Sequence, residues 1–378
     1  MLYKNSIPYF PSNDIDQIVD EVRKILSGDG FLTKGPKVKE FEKAYAKYTG
    51  STFAIATNSC TTALEVVLQS IGIKEGDEVI VPAQTFVATG SCVINSGGKI
   101  VFCDTDDNFL FDFNDLKKRI TNKTMAVIIV HFAGLIHPEI FEIMSYLKER
   151  GIYLIEDCAH SNGAKINGIC AGNIGDFGCH SFYSTKIMTT GEGGMITTNS
   201  EDYYYKCSSI RSIGIDTRTG KEIFNEVGSN FRMAEFESIL GLAQLKRLDE
   251  FVNHRIRIAE IYKRELSSLE KAKIIRFQNF PDSIRHPYWK FIVFIMSENF
   301  SRSDIRERMI IGGVNIDAPY VPLMHLQPIF RKLTGSEEGD MPNAEELSNR
   351  HFSLPIHVQI NEDDAVKISG MLLNSFLK

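Results

Sequence analysis

The stretch MAVIIVHFAGLIHPEIFEIMSYLKERGIYLIED, residues 125–157, holds two short apolar runs on either side of a segment bounded by Pro138 and Gly151. MAVIIVH (125–131) and IYLIED (152–157) are continuous, β-branched and brief, the pattern of strands buried on both faces. A proline where a helix begins and a glycine where it stops mark the intervening segment as helical. Strand, helix and strand in succession form a crossover between parallel neighbours. The same rhythm runs upstream through EVIVP (78–82) and KIVFCD (99–104). The expected fold is α/β, a mostly parallel central sheet sandwiched by helices. Ligands of such sheets bind beyond the carboxyl ends of the strands, which puts Asp157 at a functional address.

Outward from this core, apolar residues at 15, 18, 19, 22, 25 and 26 form a helical stripe ending at Gly28, and 38, 41, 45 and 48 form another. From about Ala234 to Leu269 the pattern is long and helical, with no proline. WKFIVFI (289–295) reads as a strand, SDIRERMIIGG (303–313) as a helix, and the chain closes on an amphipathic helix. With 378 residues the chain exceeds the roughly 250–300 that one core serves. Two domains are expected, a large one over 1–245 with an N-terminal helical segment and a smaller α+β one over 246–378, bridged by a helix.

The net charge of −6, with no long basic run, excludes a nucleic-acid partner's electrostatic footprint. MAVIIVHFAGLI is too short to span a bilayer and is broken by His131, so no membrane association is expected. The start, MLYKNSIPYF, has no secretory h-region, and the seven cysteines form no CxxC pair. Both features point to reduced thiols in a cytoplasmic protein. The run Cys158, His160, Cys170, Cys179, His180 fits no zinc-finger spacing, and no metal is expected.

Chemistry concentrates in HSFYSTKIMTTGEGG, residues 180–194, where Lys186 stands between hydroxyl residues and a glycine-rich turn. An amine in such a setting suits Schiff-base chemistry, most commonly with pyridoxal 5′-phosphate (PLP). That cofactor needs a carboxylate at its pyridine nitrogen, donors for its phosphate and an apolar cover for its ring. Asp157 ends a buried strand, TNSCTTALEVVLQSIG (57–72) puts hydroxyls ahead of an apolar helix, Ser181 adds another, and Phe86 follows the strand EVIVP. Singly, these are a turn cap, an N-cap, a core phenylalanine and a solvated lysine. Their order beside the strands points to a cofactor site.

From about Gly30 to Leu248 the chain resembles the DegT/DnrJ/EryC1/StrS aminotransferases, fold-type I PLP enzymes acting largely on nucleotide-linked keto sugars. The resemblance rests on GPKVKEFEKAYAKYTG, GDEVIVPAQTFVATG, IEDCAHSNGA, GDFGCHSFYSTKIMTTGEGGM and GSNFRMAEFESILGLAQLKRL. It implies that Lys186 is the Schiff-base lysine, Asp157 holds the pyridine nitrogen, and His160 lies beside the ring oxygen. It further implies that Phe86 stacks on the ring and that Cys60, Thr61 and Ser181 bind phosphate. Asn230 would reach the phosphate of a neighbouring subunit, making a homodimer with shared sites. Glu192 and Arg232 match positions near the substrate, and His325 lies in PLMHLQPIF, similar to the family's C-terminal substrate loop. Cys60 stands where the family usually has glycine, so its backbone N–H serves a phosphate only with an allowed φ. A lysine at 186, rather than the histidine of the dehydrating branch, favours transamination. The implied reaction moves an amino group, most commonly from L-glutamate, to a keto sugar used in surface polysaccharide or glycoconjugate synthesis. Acceptor recognition falls on residues 211–230 and 318–330, which also leaves open a small phosphorylated ketone. A PLP-binding regulatory protein is the reading from another class; no helix-turn-helix extension or basic face supports it.

Overall fold

The structure, a computed structural model, describes residues 3–216, 218 and 222–377. Positions 217 and 219–221 of the acceptor-loop segment 211–230 lie outside the described residues. The chain builds β1 (Phe53–Thr57), β2 (Glu78–Pro82), β3 (Lys99–Cys103), β4 (Thr124–Val130) and β5 (Tyr153–Asp157). A short hairpin follows, β6 (Lys165–Ile166) and β7 (Ile169–Cys170), then β8 (Phe177–Ser181) and β9 (Gly194–Thr198). The main sheet has seven strands in the order β1-β9-β8-β5-β4-β2-β3. β2, β3, β4, β5 and β8 pair in parallel, whereas β9 is antiparallel to both β1 and β8.

The reversal at β9 follows from its connection. A parallel return needs a crossover of a dozen or more residues, usually with a helix. The segment 182–193 instead closes as a hairpin, with Phe182 N–H donating to Gly193 O (2.9 Å) and Thr190 N–H to Phe182 O (2.9 Å). Lys186 therefore sits on a tied loop at the sheet's carboxyl edge. Between β4 and β5 the crossover helix is Ile140–Lys148, burying Ile140, Ile143 and Leu147, and Gly151 takes a φ of 67° where the chain turns back.

The helix Glu235–Glu265 runs unbroken through residue 245. Beyond it lie β10 (Ile275–Phe277), β11 (Ile284–Arg285), β12 (Phe291–Ile295) and β13 (His351–Leu354). β10, β12 and β13 make a three-stranded antiparallel sheet, packed with Tyr262, Leu372 and neighbours into a separate core. This unit is stitched to the large sheet. β11 pairs with β6, and Ile292 and Phe294 share a core with Val127 and Leu154. The N-terminal residues join the same unit, Tyr3 N–H donating to Gly313 O (2.8 Å) and Asn315 N–H to Tyr3 O (3.1 Å).

One amphipathic pattern faces the other way. In the helix Ser12–Lys24 the buried residue is Asp14, paired with Arg247 at 3.0 Å. The apolar stripe residues Ile15, Val19 and Leu26 are 45%, 46% and 69% exposed. The stripe is helical, with Ile25 buried and Ile18 and Val22 half-buried, while Ile15, Val19 and Leu26 remain uncovered among the described residues.

Candidate active site

A cavity of about 600 Å³ opens beyond the carboxyl ends of the main sheet. It brings together Asp157, His160, Lys186, Phe86, Cys60, Thr61, Ser181 and Glu192, eight of the residues that the sequence singles out. Asp157 ends β5 and is buried. Its Oδ1 accepts from Ala159 N–H and its Oδ2 from Thr89 O–H, each at 3.0 Å. Burial raises its pKa above the ordinary carboxylate value, while those two donors and the charge on Lys186 oppose the rise. Lys186 feels the mirror effect. Desolvation lowers its pKa to about 8, with Asp157 pulling in the opposite direction. An ammonium so perturbed gives up its proton close to neutral pH, as an amine used for covalent and proton-transfer chemistry must.

The helix Cys60–Ser70 points its N-terminus at the cavity. Ser59 caps it by accepting from Thr62 N–H at 3.1 Å, and the N–H groups of Cys60 and Thr61 precede any intrahelical acceptor. Cys60 starts the helix and is absent from the residues with positive φ, so a side chain at this position costs no strain. The cradle explains the glycines opposite it. A Cβ on Gly194 would meet Ser59 C at 2.4 Å and Cys60 N at 2.6 Å, and Gly191 has a φ of 87°. Only glycine lets β9 pass so close to the helix N-terminus.

Further cavity residues come from beyond the large sheet, Trp289 where no motif marks it and Tyr320 in the segment 318–330 expected to serve acceptor recognition. Trp289 stacks on His160 with centroids 3.8 Å apart and planes 6° from parallel, and its indole N–H donates to Thr185 O at 3.0 Å. Lys186 Nζ lies 4.4 Å from the centroid of the same indole. Tyr320, with φ 61°, shares a 2.7 Å hydrogen bond with His160 Nε2. Burial, then the positive charges of Lys186 and Lys290, push the His160 pKa well below its usual value, so the ring is neutral. Its Nδ1 is buried with no partner among the described residues. Lys290 and Asp317 complete the wall as an ion pair of 2.9 Å. For Trp289 the one signal available in the sequence was that it is the sole tryptophan.

Three expected residues fall elsewhere. His325 is fully buried and does not line the cavity; its Nε2 lies 3.0 Å from Glu345 and its ring packs edge-on against Phe102. Its Nδ1 is buried with no partner among the described residues. Arg232 lines a different cavity, beside Lys34 and Arg211. Asn230 is exposed, bridged to Ser212. A further group of potential metal ligands, His131, Glu156 and Cys158, lies within 4.8 Å of one another. The Glu156 carboxylate there accepts from Gly172, Ile174 and Gly175 N–H besides contacting His131, so its oxygens are already occupied.

The donor set fits PLP. A buried carboxylate faces an amine of lowered pKa, a helix N-terminus offers uncommitted N–H groups, and the buried His160 Nδ1 lacks a partner. The fold and site are those of a PLP-dependent aminotransferase. The sequence profile described as the DegT/DnrJ/EryC1/StrS aminotransferase family matches residues 13–372, and the chain belongs to that family. It is 34% identical over 357 residues to the GDP-perosamine synthase of Caulobacter vibrioides, covering 93% of this chain and 94% of that one. The aminotransferase from Psychrobacter cryohalolentis superposes with a TM-score of 0.91 at 28% identity, covering 98% of each chain. The putative sugar aminotransferase Spr1654 from Streptococcus pneumoniae, in its PMP form, gives 0.88 at 25% identity and 98% coverage of both.

Proposed function

We propose that this enzyme moves the amino group of L-glutamate to a nucleotide-linked keto sugar, for polysaccharide or glycoconjugate synthesis. The observation that carries the reading is Lys186 and Asp157 in one cavity of about 600 Å³, room for a sugar beside the cofactor ring. Similarity to a GDP-perosamine synthase supports the acceptor class. Bound PLP supplies a sink for the electron pair left when a C–H bond next to nitrogen breaks. Asp157, held by Thr89 and Ala159, keeps a negative charge against the ring nitrogen. Cys60, Thr61 and Ser181 anchor the phosphate, Phe86 covers the ring and His160 borders it. Lys186 Nζ, half-deprotonated at its pKa of about 8, would take the proton from the donor's α-carbon and hand it to the cofactor's carbon on the other side of the nitrogen. On the acceptor the same residues act in reverse, with Glu192 at the cavity rim. The test follows the cofactor's absorbance: its change with L-glutamate, then its recovery with nucleotide-linked keto sugars. Recovery with a small phosphorylated ketone but with no sugar overturns the acceptor assignment.

The working form is a cytoplasmic homodimer. Ile15, Val19, Leu26, Phe31 and Leu32 expose apolar surface along the N-terminal segment, as do Ile213, Phe224 and Val227 near Asn230. Patches of this kind call for a partner surface. Buried Nε and Nη1 atoms of Arg232 have no partner within the described chain, which suits a group completed across an interface. In this arrangement Asn230 reaches the phosphate in the neighbouring subunit. Mixing Lys186→Ala with Asn230→Ala subunits should yield heterodimers in which one site carries both defects and the other neither. No recovery of activity after verified exchange overturns shared sites.

A further inference from the structure

Two lysines line the cavity, and one of them, Lys186, is committed to the cofactor. The other, Lys290, is 6% exposed, and among the described residues its Nζ has one hydrogen-bond partner, Asp317 Oδ2 at 2.9 Å. An ammonium has three N–H donors, so two remain for the cavity. Asp317 differs from Lys290 in burial. Its side chain is 40% exposed against 8% for the lysine, and Ser353 O–H donates to its Oδ1. Asp317 can therefore part from the lysine and stay solvated, whereas the buried lysine cannot be left without an anion. Both ammonium groups also lie against one indole, 4.4 Å and 5.3 Å from the Trp289 centroid. Lys290 and Lys186 thus border the same space.

An acidic amino acid brings carboxylates into this space, while the reacting end of a keto sugar brings none. A site taking both in turn needs a cation that is offered to one and neutralised for the other. We infer that Lys290 receives a carboxylate of the amino donor in exchange for Asp317, and that Asp317 takes the ammonium back when the acceptor's sugar enters. The inference rests on the donor and acceptor classes proposed above.

The test uses the holoenzyme with Lys290→Met, Lys290→Arg and Asp317→Asn. Lys290→Met should raise the KM for L-glutamate about tenfold or more, the effect of losing one hydrogen bond to a charged group, with the acceptor KM moving less. Lys290→Arg should restore most of it. Glutarate, an unreactive dicarboxylate, should bind less tightly to Lys290→Met by calorimetry and more tightly to Asp317→Asn. L-Alanine identifies the group recognised: equal damage with L-alanine assigns the α-carboxylate, and damage with L-glutamate alone assigns the side chain. Wild-type enzyme inert to L-glutamate but active with an uncharged donor overturns the donor reading. Wild-type turnover of L-glutamate, with unchanged KM and glutarate affinity in Lys290→Met, overturns this inference alone. Should Lys290→Met fail to hold cofactor, unchanged glutarate affinity in Asp317→Asn overturns it equally.

Discussion

The site has two sources that differ in kind. The large sheet supplies Asp157 at a strand end, Lys186 on a tied hairpin and the cradle at a helix N-terminus, each fixed by backbone hydrogen bonds. The segment from Trp289 to Tyr320 supplies stacked rings and an ion pair, held by side chains reaching across from another unit. Bond-making chemistry needs fixed geometry and sits on the rigid edge. Selection among substrates needs shape and charge that loops supply. Mutations in the first region should strike both half-reactions, and mutations in the second should separate them.

The largest effect belongs to Lys186→Ala, which removes the proton-transferring amine. Both half-reactions should slow by at least the ~10²–10⁴-fold of general acid–base catalysis, measured as single turnovers. A variant that still cycled at the wild-type rate would erase the distinction between the two regions. Asp157→Asn comes next, with both half-reactions slowed by about 10²–10³-fold as a preorganised charge is lost. The same variant has a pH signature. The neutral amine attacks the cofactor's aldehyde, so the rate at which apoenzyme takes up PLP should climb with pH and level off above about 8. Asp157 holds the Lys186 pKa up, so Asp157→Asn should shift that midpoint to lower pH.

Outside both regions, His325→Ala should act through stability. The variant leaves Glu345 short of a partner, at a cost of about 1–3 kcal/mol in urea unfolding, with donor and acceptor kinetics changed alike. Selective loss of acceptor use would return His325 to the site. The smallest effect is expected for Tyr320→Phe, which deletes one hydrogen bond to His160. About 1 kcal/mol, or roughly fivefold, is the expected size, felt in the acceptor half-reaction more than in the donor half.

The two regions were also unequally legible. Apolar runs of strand length and their flanking proline and glycine placed β2 to β5, because each signal is local in the chain. Lys186 and Asp157 could be read because strand ends are where such sheets bind ligands. Trp289 could not, and Tyr320 only as one position of the segment 318–330, since what matters is their stacking on His160, more than a hundred residues earlier in the chain. The placement of His325 was hidden for the same reason. Its environment is set by Glu345, which reaches it only after the chain has turned back through the helix Pro342–Arg350. The stripe of the first helix was read correctly as helical, yet periodicity does not say whether the covering surface lies in the same chain.

Trp289 gives the molecule a built-in optical reporter. As the only tryptophan, it accounts for all the indole fluorescence, and it emits from the wall of the cavity, 4.4 Å from the Lys186 amine. A conjugated ring absorbing in the near ultraviolet and visible quenches an indole this close. Cofactor loading, its exchange between aldehyde and amine forms, and displacement of the His160 stack should each change the emission of one identified residue. Both half-reactions can be followed without labelling the protein.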